Sequence, residues 1–241
     1  MSEISNTVIY ASLFSLAGTM IGSIFGILIS KPSKKMIANF NCFAAGIMME
    51  VVFIELLPSS LERIRIDVFL IYMGIGIAFM YFLGKLYEEI SLNKDVFLKT
   101  AILTSIGIML HNLPEGIIMG IGFLHSSGLG ATMSLVIAVH DIPEGIVVSS
   151  TLVASRIRTY KVLLYSFLTA MPTVIGCYIG VKMFWISPLI IGIFLAIVSG
   201  IMFYIALFQL INRSTKATNF NTIFKSVVFG IILGLVITIL L

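Results

Sequence analysis

The sequence predicts an all-α integral membrane protein with eight transmembrane helices, and three observations predict it. Of the 241 residues, 59% are apolar and only 11% charged, whereas soluble domains carry roughly a quarter charged residues. The apolar residues gather into eight runs long enough to cross about 30 Å of hydrocarbon, which takes ~20 residues of helix. Two of these runs echo each other: GIMMEVVFIELL begins at Gly46 and GIMFYIALFQLI at Gly200.

The runs lie at about 7–29, 37–57, 67–87, 96–123, 130–153, 162–184, 187–211 and 222–241. The first begins in MSEISNTVIYASLF, which lacks the basic start and small-residue cleavage site of a secretory signal, so it is expected to stay as a helix. The sixth and seventh nearly merge at KMFWISP, where Lys182 and Pro188 mark the break and Trp185 suits a membrane interface. Gly18, Gly22 and Gly26 in span one, Gly176 and Gly180 in span six, and Gly230 and Gly234 in span eight have the spacing that lets helix backbones pack closely. Spans two and seven carry the echo. An offset of five spans reverses direction across the membrane, so spans 1–3 and 6–8 read as an inverted repeat around spans 4 and 5, as in many transporters. No soluble domain fits in the remainder, and residues 1–241 form a single transmembrane domain.

Of the 15 Lys and Arg, 12 fall in the links after spans one, three, five and seven; the alternate side holds only Arg63, Arg65 and Lys182. The positive-inside rule then places both termini outside the cytoplasm. Cys42 and Cys177 both lie in apolar runs and read as buried small hydrophobes rather than as a disulfide.

The chemistry is concentrated in spans four and five. HNLPEG occupies 111–116 and HDIPEG occupies 140–145. On helices, His111 and Glu115 share one face a turn apart, as do His140 and Glu144. Pro114 and Pro143 cannot donate a backbone hydrogen bond and free the carbonyls of Leu110 and Val139, which in lipid demands protein, water or an ion nearby. An ionised carboxylate at the bilayer centre costs roughly 2.5 to 3.5 kcal/mol. Glu115, Asp141 and Glu144 have no lysine or arginine at that depth to pair with, so a bound cation or protons must compensate them. Imidazole combined with carboxylate suits zinc and other first-row divalent ions, whereas calcium and magnesium prefer oxygen alone. Two matched copies on consecutive antiparallel helices can close one site.

The paired His-Asn/Asp-x-Pro-Glu-Gly motif, within eight helices and with FAAGIMM and ELLP in span two, resembles the ZIP (Zrt/Irt-like) divalent metal transporters, especially the short prokaryotic ZupT/GufA-like branch. The resemblance covers nearly the whole chain. It implies a midplane transport site of His111, Glu115, His140 and Glu144 with Met48 as a thioether neighbour. It further implies an adjoining second site at Asn112 and Asp141 bridged by the two glutamates, elevator-like movement of one helix bundle against another, and frequent homodimers. Three departures from the family pattern stand out: Met171 stands where a glutamate usually precedes the span-six proline, Phe208 and Gln209 replace an acidic pair in span seven, and Gly84 replaces an acid in span three. Glu50 lies about 200° round its helix from Met48 and stays outside the ligand set.

The reading is therefore a cell-membrane carrier of divalent transition metal, zinc first, with iron, manganese, cobalt and cadmium as alternatives, moving metal toward the cytoplasm. The ion is cargo and no cofactor is expected; the partners are the metal and the lipid bilayer, and nothing points to nucleic acid. An intramembrane metallohydrolase is the enzymatic rival, but neither motif is His-Glu-x-x-His and no separate general base accompanies a three-ligand zinc centre.

Overall fold

A computed structural model describes residues 2–29, 33–90, 96–125, 127–182 and 187–240, and all regular structure among them is helical. In chain order the elements are α1 (Ser2–Leu28), α2 (Lys34–Glu50), a π-helical stretch (Val51–Leu56) leading into α3 (Leu57–Leu61), α4 (Ile66–Ile90), α5 (Val96–His125), α6 (Ser127–Ala154) and α7 (Thr159–Lys182). They are followed by α8 (Pro188–Tyr204), a second π-helical stretch (Ile205–Ile211) with α9 (Asn212–Ser214), and α10 (Phe220–Leu240). Among the described residues, seven segments are long and apolar enough to cross a membrane, and α1 contributes a shorter apolar helix, Ser12–Leu28. The protein is a multi-pass membrane protein. Trp185, and Lys31 and Lys94 of the basic links, lie outside the described residues.

The local chemistry explains where several helices begin and how they continue. Ser33 precedes α2 in an extended conformation and its Oγ accepts from the Met36 amide at 3.1 Å; Ser187 does the same for α8 and Ile190. Each hydroxyl satisfies one of the orphan amides of a first turn. Pro114, Pro143 and Pro172 remain inside α5, α6 and α7, which run through them. At the end of α6 the Ile157 amide donates to the Leu152 carbonyl, with Arg156 at φ 58° in the left-handed region, a turn that caps the helix's last carbonyls.

The chain divides into two packing units. The first contains residues 1–32, 108–185 and 237–241; the second contains 33–107 and 186–236. The first is therefore built from α1, the part of α5 from Ile108 onward, α6, α7 and the end of α10, and the second from the start of α5, the rest of α10 and the remaining helices.

Glycines set the helix spacing in the first unit. A Cβ added at Gly18, Gly22 or Gly145 would lie 2.0, 2.0 and 2.1 Å from the carbonyl oxygens of Ala138, Ile142 and Thr19. Thus α1 and α6 touch backbone to backbone, and the contact positions rise together along both, so the two helices are parallel. The same relation joins α7 to α5: a Cβ at Gly176, Gly180 or Gly116 would lie 2.1, 2.3 and 2.0 Å from the carbonyls of Leu113, Ile117 and Thr173. Close backbone approach gains dispersion contacts, which drive helix association where water supplies no hydrophobic effect.

The second unit repeats this design. Gly46 of α2 meets the Val227 carbonyl of α10, and Gly230 of α10 meets the Phe43 carbonyl of α2; Gly200 of α8 meets the Met73 carbonyl of α4, and Gly76 of α4 meets the Ile197 carbonyl of α8. Ser60 Oγ donates to the Gly192 carbonyl at 2.8 Å, tying α3 to α8. Glu50 is buried, and its carboxylate lies where a Gly234 side chain would otherwise sit.

Candidate metal site

All six polar residues of the paired motif are buried in the first unit: His111, Asn112 and Glu115 on α5, His140, Asp141 and Glu144 on α6. The two motifs meet. His111 Nε2 lies within hydrogen-bond distance of Glu144 Oε1, at 2.8 Å, a contact from the first residue of one motif to the carboxyl group of the other. It forms because Pro114 and Pro143 are absorbed within continuous helices, keeping the four-residue spacing that stacks imidazole over carboxylate on each face.

The second residue of each motif is held by an outer helix. Ser15 Oγ of α1 donates to Asp141 Oδ2 at 2.5 Å, and Asn112 Nδ2 donates to the Thr169 carbonyl of α7 at 2.8 Å. Asp141 Oδ1 and Asn112 Oδ1 have no hydrogen-bond partner, and neither has Glu144 Oε2. Buried oxygens in this state are uncommon in folded proteins, since each loses its hydration without replacement. Oxygens of this kind, together with the imidazole of the histidine–carboxylate contact, are the donor types that a borderline cation takes.

Ser15 and Thr169 did not stand out in the sequence. The signal was a second stripe interleaved with the glycines: Ser12, Ser15, Thr19 and Ser23 on α1, and Ser166, Thr169, Thr173 and Cys177 on α7, all buried. Of the other expected residues, Met48 is buried on α2 in the second unit. Met171 is partly buried on α7, Gln209 is buried within the second π-helical stretch, and Phe208 is largely exposed and stacks on Tyr204 at 5.1 Å.

The family model described as ZIP Zinc transporter matches residues 88–241, a stretch that includes both motifs. The chain belongs to the ZIP family. It is 30% identical over 245 residues to the zinc transporter ZupT of Salmonella paratyphi A, covering 95% of each chain. It is 32% identical over 200 residues to ZupT of Escherichia coli O7:K1, covering 77% of this chain and 78% of that one. To ZupT of Enterobacter sp. strain 638 it is 31% identical over 212 residues, covering 79% and 80%. ZIP proteins are transporters rather than enzymes, and this ZIP protein is accordingly a metal-transport protein of the membrane.

Proposed function

We propose that this ZIP protein carries divalent transition metal, zinc foremost, across the cell membrane into the cytoplasm through a midplane site of His111, Glu115, His140 and Glu144. The observation that carries the proposal is the 2.8 Å approach of His111 Nε2 to Glu144 Oε1. Zinc takes imidazole nitrogen and carboxylate oxygen at ~2.0–2.2 Å in tetrahedral array, which sets neighbouring ligand atoms roughly 3.3 Å apart. Exchanging the shared proton for an ion therefore requires the pair to open by only about 0.5 Å. Because ligands must be deprotonated to bind, loading releases protons and acidification favours release. Met48 is assigned as thioether neighbour on the family resemblance alone, and Asn112 and Asp141, with their unpartnered oxygens, are assigned to the adjoining second site. Iron, manganese, cobalt and cadmium remain alternative cargo, because ligand type alone follows a general affinity order rather than a selective one.

We read residues 1–241 as one transmembrane domain of eight spans with an inverted repeat of spans 1–3 and 6–8. Several facts support the repeat. Ser33 and Ser187, Gly46 and Gly200, Gly76 and Gly230, Gly22 and Gly176, and Gly26 and Gly180 are all separated by one and the same interval. The carbonyls they meet keep it too, as with Phe43 and Ile197 or Met73 and Val227. The two π-helical stretches begin at Val51 and Ile205, again at that interval. Both termini lie outside, from the distribution of basic residues, and a homodimer is the assembly the family resemblance implies.

The test is uptake by purified protein in liposomes. Glu115→Ala and Glu144→Ala are each expected to lower zinc uptake by at least tenfold; on the order of 2 kcal/mol is lost when a charge-assisted ligand is removed. Wild-type rates in both variants would show that the ion passes elsewhere.

A further inference from the structure

We infer that Ser15 is a positioning residue for metal transport, acting through Asp141. The inference rests on the reading of Asp141 as part of the metal site. Ser15 is fully buried on α1, and its hydroxyl donates to Asp141 Oδ2, leaving Oδ1 as the carboxylate's one oxygen without a partner. A free aspartate on a helix turns about two side-chain torsions. With Oδ2 held, the carboxylate plane is set and a single oxygen remains to meet an ion. The backbones around this contact are closely packed, because Gly18 and Gly22 bring α1 against the carbonyls of Ala138 and Ile142, on either side of Asp141.

The counterpart on the other outer helix uses a different group, and the difference is informative. Thr169 stands to α7 as Ser15 stands to α1, in register with Thr173 and Gly176 as Ser15 is with Thr19 and Gly22. Yet Thr169 spends its hydroxyl on the Ser166 carbonyl at 2.7 Å and receives Asn112 through its own carbonyl. An amide needs an acceptor and a carboxylate needs a donor. Each motif's second residue is thus matched to its outer-helix partner: a hydroxyl donor faces Asp141, a carbonyl acceptor faces Asn112. In this pair of matched contacts α1 supplies a side-chain donor, the Ser15 hydroxyl, whereas α7 supplies a backbone acceptor. Removing it frees Asp141 to rotate and leaves a buried carboxylate oxygen unpaired.

The experiment is zinc uptake in proteoliposomes by wild type, Ser15→Ala, Asp141→Asn, the double variant and Ser23→Ala. Ser23 serves as the packing control, since its hydroxyl reaches only the Gly145 carbonyl, at 3.3 Å, across the same helix pair. Loss of a hydrogen bond to a charged group corresponds to a KM rise of about tenfold in Ser15→Ala, with kcat within about threefold of wild type. In the Asp141→Asn background Ser15→Ala is expected to add nothing, because residues acting through one contact are not additive. Ser23→Ala should keep the wild-type KM. If Ser15→Ala fails to purify as a monodisperse protein, Ser15→Gly takes its place with the same expectation. Wild-type constants for Asp141→Asn would overturn the ligand role of Asp141 and this inference with it. An impaired Asp141→Asn beside an unaffected Ser15→Ala, losses that multiply in the double variant, or an equal KM rise in Ser23→Ala would overturn the positioning role alone.

Discussion

At the scale of single residues, the site is defined by which atoms have partners and which do not. His111 meets Glu144 through Oε1, Asp141 and Asn112 are each held by one atom, and Asp141 Oδ1, Asn112 Oδ1 and Glu144 Oε2 stand open. The matching of donor to acceptor makes Asn112 and Asp141 non-interchangeable despite their similar shape. In Asn112→Asp, a carboxylate oxygen would face the Thr169 carbonyl now served by Nδ2, and two acceptors cannot bond without an extra proton. Asn112→Asp is expected to lose about 1–3 kcal/mol of stability, read as a lower unfolding midpoint in detergent, although it adds an anion to the proposed cation site. A midpoint equal to wild type would show that the Thr169 contact does not discriminate. The motif itself was legible in the sequence because ligand chemistry repeats at helical spacing. The hydroxyl and carbonyl that hold its second residues were not, because Ser15 is distant in the chain from Asp141 and a serine in an apolar helix carries no signature of what it touches.

At the scale of helices, glycine decides the spacing and so the geometry of the site. Gly22 meets the Ile142 carbonyl and Gly176 meets the Leu113 carbonyl, in each case the residue just before the motif's proline. A methyl at either position would sit about 2 Å from an oxygen, so the helix must move. Gly22→Ala and Gly176→Ala are each expected to destabilise the protein by about 1–3 kcal/mol through overpacking and to slow uptake, as the outer helix lifts away from the motif. Gly74→Ala is the contrast: a Cβ there has nothing within 4 Å, and alanine's better helix propensity should leave stability unchanged or raise it by up to about 1 kcal/mol. Thermal unfolding of the three variants in one detergent checks the ordering. The spacing of these glycines was plain in the sequence, and packing was the function expected of it. The π-helical stretches Val51–Leu56 and Ile205–Ile211 were not legible, because apolar side chains on every face of a membrane span erase the periodicity that would reveal a change of helical pitch.

At the scale of the molecule, composition and run length were enough to read the helices, since a bilayer admits few alternatives for an apolar chain whose backbone must bond internally. The predicted runs and the observed helices agree to within several residues at most ends, with α2 and α10 beginning before their apolar runs because their first turns are polar. The division into two packing units was not legible: it depends on which helices pack together, and even the two parts of the single helix α5 belong to different units. The twin motifs of the first unit are proposed to ligate the transported ion together, and X-ray absorption spectroscopy of zinc-loaded protein reads the ligands themselves. The chain has three histidines, and with His125→Ala as background the spectrum should show two imidazoles at about 2.0–2.1 Å with oxygen completing the shell, falling to one imidazole in His111→Ala and in His140→Ala. A zinc shell without imidazole, or one unchanged by both substitutions, would contradict that joint ligation.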